Sequence, residues 1–118
     1  MEGSAKDPDD MHEYVEGCVK EGYLPSYVSL IILSFYERFR ERYEGIPMDA
    51  APSGSESFLL ALDNGNHYIE FEFLWSKAIV DGKWEFFYRN RETDEMVGME
   101  FKKVNFDAVD KYIQRTRP

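Results

Sequence analysis

Phe-Leu-Leu-Ala-Leu-Asp-Asn-Gly-Asn-His-Tyr-Ile-Glu-Phe-Glu-Phe-Leu-Trp, residues 58–75, decides the fold. Apolar side chains alternate on both sides of Asn64-Gly65, a dipeptide suited to the positive φ angles of a tight hairpin. A two-residue turn closed there pairs Leu62 with His67, Leu60 with Ile69 and Phe58 with Phe71. All six then share one face, which Phe73 and Trp75 continue. Turn chemistry and apolar alternation are independent signals, and they agree on which face is buried.

Downstream, Asp81-Gly82 offers a second turn, with Ser76–Val80 as a bulge or wider loop. Trp84, Phe86 and Tyr88 share a face of the next strand, Lys83–Arg91. A third turn over Glu92-Thr93-Asp94-Glu95, centred on Thr93-Asp94, pairs Asn90 with Val97, Tyr88 with Met99 and Phe86 with Phe101. Asn105 is placed to cap a last helix, Phe106–Arg115.

Upstream, Asp7-Pro8 reads as a helix start. Met11, Tyr14, Val15, Cys18 and Val19 form one stripe at helical spacing, and Gly22 ends it. Ser26 is the expected cap of a second helix running to about Glu44. Its first half is apolar nearly all round, which predicts that other elements wrap it. The stretch from Ile46 to Glu56, with two prolines and Ser-Gly-Ser, reads as a loop. The expected fold is α+β, in the order α-α-β-β-β-β-α: a four-stranded antiparallel meander with helices packed on one face. Residues 1–6 read as disordered and 7–118 as a single α+β domain.

The chain carries 23 acids against 14 Lys and Arg, a formal net charge of −9. Residues 1–24 and 46–82 hold the whole excess, and the acids Asp7, Asp9, Asp10, Glu13 and Glu16 are a candidate acidic patch. Such a surface repels phosphate backbones and anionic membranes, so neither nucleic acid nor membrane is an expected partner. It draws basic partners and speeds their encounter. A single cysteine allows no internal disulfide, and the N-terminus lacks a signal-peptide pattern, so the expected location is cytoplasmic.

No catalytic, cofactor or metal signature stands out. His67 points away from Tyr68, Glu70 and Glu72 in a strand, so that linear cluster is not a spatial one. His12 and Glu16 lie four apart on a helix, but two ligands do not close a metal site. Cys18 falls on an apolar stripe, where thiols are inert. Arg89 and Arg91 share a strand face; the expected register sets Arg91 opposite Glu72 and Leu74 opposite Arg89, and cross-strand charge pairing accounts for them.

The stretch Gly-Lys-Trp-Glu-Phe-Phe-Tyr-Arg-Asn-Arg-Glu-Thr-Asp-Glu, residues 82–95, resembles a hairpin of small uncharacterised prokaryotic α+β proteins. In that pattern a Gly-Lys turn and an aromatic strand precede Arg-x-Arg-Glu-Thr-Gly-Glu; here Asp94 takes the turn glycine's place. The resemblance implies no activity. In size and charge the chain is similar to accessory-gene products such as immunity proteins and antitoxins.

Two functions are expected from these readings. The first is a non-enzymatic acidic domain that binds a protein partner or forms a homodimer, using Leu59, Tyr68, Leu74, Phe87, Arg89 and Arg91 on the outer sheet face, with Phe87 opposite Glu100. The second is a small-molecule binder or enzyme with an aromatic-lined pocket between sheet and helix 2, built from His67, Trp75, Trp84 and Tyr88.

Overall fold

The Asp63–His67 reversal closes one residue later than its Asn-Gly pair suggests. Asn64 N–H donates to the His67 carbonyl, so Gly65-Asn66 is the turn, and Gly65 takes φ 100°. The Asn64 side chain accepts from the backbone N–H groups of Asn66 and His67, and that of Asp63 from Gly65. These side-chain bonds fix the loop from within. Leu62 therefore faces Ile69, Leu60 faces Phe71 and Phe58 faces Phe73. Each partner has moved by two residues, so every side chain keeps its face.

The computed structural model of the protein describes residues 11–75 and 83–118. The elements are α1 (Met11–Lys20), α2 (Ser26–Arg42), β1 (Asp49–Pro52), β2 (Ser57–Asp63), β3 (His67–Leu74), β4 (Trp84–Asn90), β5 (Met96–Phe101) and α3 (Asp110–Arg115), the last preceded by a 3₁₀ turn, Phe106–Ala108. One antiparallel sheet runs in chain order from β1 to β5. The fold is α+β, with five strands among the described residues where four were expected. The expected disorder of 1–6, the Asp7-Pro8 helix start, the Ser76–Val80 bulge and the Asp81-Gly82 turn lie outside the described residues.

The added strand is β1, inside the stretch expected to be a loop. Alanine and proline are poor strand formers, which hides it. Pro52 is tolerated because β1 is an edge strand with one side free of ladder bonds. Ala50, 2 % exposed, faces the core opposite Leu60.

The other registers also differ from expectation. Asn90 N–H donates to the Glu95 carbonyl, enclosing a four-residue loop, Arg91–Asp94. Asp94 adopts φ 63°, the left-handed conformation a glycine would take. Tyr88 then faces Val97, Phe86 faces Met99, and Phe87 faces Gly98 instead of Glu100. Glu72 faces Glu85, not Arg91. Leu74 faces Ser57, and Arg89 faces Tyr68.

One cluster of buried side chains joins these elements, with half-buried Val97, Met99 and Phe101 of β5 packed against it. Ile69, Phe71, Trp84 and Phe86 are buried there. Phe35 of α2 lies 5.0–5.1 Å, ring to ring, from Phe71, Phe73, Trp84 and Phe106. Tyr112 of α3 covers Phe86 and Tyr88. The described helices thus pack on one face of the sheet.

Helix ends depart from expectation in detail. Pro25 occupies the cap of α2, and Ser26 begins the helix with no side-chain cap bond. Asn105 does cap, accepting from Ala108 N–H, but it opens the 3₁₀ turn. The front half of α2 is not wrapped: Leu30 is 67 % exposed and Tyr27 50 %. No helix among the described residues is long and apolar enough to cross a membrane.

Candidate functional site

Strand alternation builds the outer sheet face from transverse rows. Asp63, Tyr68, Arg89 and Met96 form one, across β2 to β5. The next is Asp49, Ala61, Glu70, Phe87 and Gly98, and then Ala51, Leu59, Glu72, Glu85 and Glu100. Three glutamates on adjacent strands therefore stand directly opposite one another. Like charges in that position destabilise a sheet.

Gly98 places no side chain beside Phe87, and a depression of about 260 Å³ lies there, lined by Glu70, Glu72, Glu85, Phe87 and Gly98 among others. Phe87 is half-buried in it. Its neighbours differ in how well they are satisfied. Lys83 lies 3.5 Å from Glu100. Tyr68 donates to Glu70 at 2.6 Å. Burial pushes the Glu72 carboxyl up from its ordinary range, Glu85 and Glu70 add to the shift, and the Ser57 hydroxyl opposes it. Glu85 has no cationic partner among the described residues.

This geometry has a sign-definite consequence. A carboxyl whose pKa is raised by folding opposes the fold when ionised. That cost is complete above the folded-state pKa and disappears as pH falls below the ordinary range of about 4. Glu72→Gln keeps an acceptor for Ser57 and removes the charge. It should stabilise the protein by about 0.2–1 kcal/mol at pH 7, with no gain at acid pH. Urea unfolding at both pH values checks this; an equal effect at both would refute it.

The residues expected to form an interface divide into three places. Tyr68, Arg89 and Arg91 come together at one end of the face. Arg91 pairs with Asp63 through two contacts, at 2.7 and 3.0 Å, with its guanidinium 4.9 Å from the Tyr68 ring centre. Arg89 bonds Asp94. Phe87 and half-buried Leu59 lie in the two central rows, and Leu74, 37 % exposed, sits at the far end. Asp63, held below its ordinary carboxyl range chiefly by Arg91, accounts for Arg91 in place of Glu72.

The four residues expected to line a pocket share no lining among the described grooves. His67 and Tyr88 are together, with the imidazole Nδ1 2.9 Å from the Tyr88 hydroxyl, and Arg115 donates to that hydroxyl at 3.1 Å. Trp75 and Trp84 are core residues, 7 % and 1 % exposed. Trp84 alone of the four lines a described groove, between α2 and the β5–α3 connection.

His12 bonds Glu37 of α2, not Glu16. Cys18 is buried, and burial pushes its thiol up. Glu13 and Glu16 are exposed on α1, whereas Asp7, Asp9 and Asp10 lie outside the described residues. No group of three His, Cys, Asp or Glu residues among those described could hold a metal ion.

Fold and site together define a one-layer antiparallel sheet, helices behind it and an acidic, aromatic face in front. The chain matches no protein-family model, no curated protein and no solved structure.

Proposed function

We propose that this is a non-enzymatic interaction domain whose outer sheet face receives a basic segment of a partner protein. The observation that carries the reading is the row Glu72–Glu85–Glu100. A sheet selected for stability alone would not align three carboxylates; a sheet that receives cations gains from them. Phe87, in the depression beside the row, supplies a ring for a guanidinium or ammonium group. The net charge of −9 steers such a partner toward the protein.

A second copy of the chain is the competing occupant, through the same Leu59, Tyr68, Leu74 and Phe87. Two-fold pairing centred on the glutamate row sets like charge against like, which favours the basic partner.

The test is titration with a synthetic peptide of alternating lysine and leucine, followed by backbone amide shifts. Shifts should centre on Glu85, Phe87 and Gly98. Affinity should fall about tenfold in Glu72→Gln/Glu85→Gln and weaken with added salt. Shifts confined to the helical side, or unchanged affinity in the double variant, would refute the proposal. Sedimentation at micromolar concentration should find a monomer; a dimer abolished by Phe87→Glu would assign the face to a second copy.

A further inference from the structure

We infer that the groove between α2 and the β5–α3 connection binds a small amphipathic anion, a carboxylate carried on an apolar body. The groove is open to solvent and has a volume of about 480 Å³, within the usual range of about 300–1,000 Å³ for small-ligand sites. Its floor consists of the buried rings of Phe35, Phe73 and Trp84. Leu30, 67 % exposed, and half-buried Ile31 and Val104 extend the apolar surface toward solvent. A 67 % exposed leucine leading into a buried aromatic floor is an apolar surface without a partner.

The rim has the opposite charge to the rest of the protein. Arg38, Lys102 and Lys103 line the groove, and no acid does so among the described residues. None of the three makes an ion pair with a described residue, a property they share with Lys20, Arg40, Lys111 and Arg117, whereas Arg42, Lys83, Arg89, Arg91 and Arg115 each do. Nor does Arg38 pair with Glu41, three residues along α2, as their spacing allows. In a chain with 23 acids and 14 bases, three cations and no described acid around one apolar groove set it apart from ordinary surface.

The floor adds an independent observation. The Trp84 indole N–H is buried and has no acceptor among the described residues. Buried donors are nearly always satisfied, and each exception calls for an explanation. It is the one polar side-chain group of the three floor residues, and because the nitrogen lies below the solvent-accessible surface, an acceptor in the groove meets it only when the indole shifts. A carboxylate offers acceptors and no donor, and its charge suits the rim. The volume fits a single small ligand, not the roughly 800 Å² footprint of a protein partner.

The experiment uses decanoate as the probe, with decanol and decyltrimethylammonium as neutral and cationic controls. Binding is followed by the two indole N–H resonances and by backbone amides. Decanoate should shift the Trp84 indole and the amides of Ile31, Lys102 and Val104, leaving the Trp75 indole in place. Lys102→Glu/Lys103→Glu, a change at exposed positions, should weaken it at least about tenfold, and the cationic control should not bind. Four results would overturn the assignment: no binding at millimolar concentration, decanol binding as tightly as decanoate, unchanged affinity in the charge-reversed variant, or shifts mapping elsewhere. A glutamate- and leucine-containing peptide that shifts these resonances while decanoate does not would also overturn it, giving the groove to a protein ligand.

Discussion

Phe35→Ala is expected to lower the unfolding free energy by about 3–5 kcal/mol, and the melting temperature by about 10–25 °C. The ring is 2 % exposed and lies at the junction of three layers of contact. Phe71 and Phe73 come from β3, Trp84 from β4 and Phe106 from the 3₁₀ turn, all within 5.1 Å between ring centres. Three of these four pairs are edge-to-face and the fourth is tilted, arrangements that add to the area term. Truncation opens a cavity that close-packed rings on a sheet cannot fill by collapse, so the cost belongs at the upper end for an aromatic deletion. Against a typical total of about 5–15 kcal/mol, such a variant is marginal at physiological temperature. Thermal unfolding measures it. A loss below about 1 kcal/mol would mean that α2 does not pack on the sheet through this ring.

How much of this arrangement the sequence disclosed depends on parity. The assignment of Phe58, Leu60, Leu62, Ile69, Phe71, Phe73, Trp84, Phe86 and Tyr88 to one face holds in the structure. The turns near Gly65 and Asp94 shift each partner by two residues, and a shift of two preserves faces while changing neighbours. Face assignment therefore needs the period alone, whereas neighbour assignment needs the loop geometry. In the first hairpin that geometry comes from side chains of Asp63 and Asn64 bonding backbone N–H groups. The strand β1 was hidden for another reason. Ala50 and Ala51 carry too little apolar surface to show a period, and an edge strand admits the proline that reads as a loop.

The site was less legible than the fold because it depends on neighbours. Glu72, Glu85 and Glu100 belong to three strands, and only the correct registers align them. The expected registers set Glu72 against Arg91 and Phe87 against Glu100, which dissolved the row and placed a charge where Gly98 leaves a depression. Gly98 was a usable signal: a glycine in an otherwise apolar strand marks a place without a side chain on one face. The basic rim of Arg38, Lys102 and Lys103 left no mark at all in the sequence. Lysines beside a strand end and an arginine sixty-four residues earlier converge only through the packing of α2 on the sheet.

Tyr43→Phe should lower stability by about 1.5–3 kcal/mol, the second large effect, and loosen α3 selectively. Tyr43 is fully buried just beyond the end of α2, and its hydroxyl donates to Asp110 Oδ1 at 2.6 Å. Asp110 opens α3 and also lies 3.7 Å from Arg42. A six-residue helix has no independent stability, so it depends on such ties. Phenylalanine fills the same space and removes one bond, leaving a half-buried carboxylate short of a donor. Amide exchange in α3 should quicken more than in the sheet; equal acceleration in both would show that the bond contributes only to global stability. The same hydroxyl gives a pH signature. Burial, then Asp110, pushes the Tyr43 phenol above its ordinary range. Folding thus favours the protonated form, and stability should fall as pH rises past about 10. Tyr43→Phe removes that contribution, so the variant should lose less stability than wild type between neutral and strongly alkaline solution. Tyr14 and Tyr68, raised chiefly by burial, should leave a residual slope in the variant. Alkaline unfolding curves that coincide for the two proteins would place the Tyr43 hydroxyl in water and remove its bond to Asp110 from the account of how α3 is held.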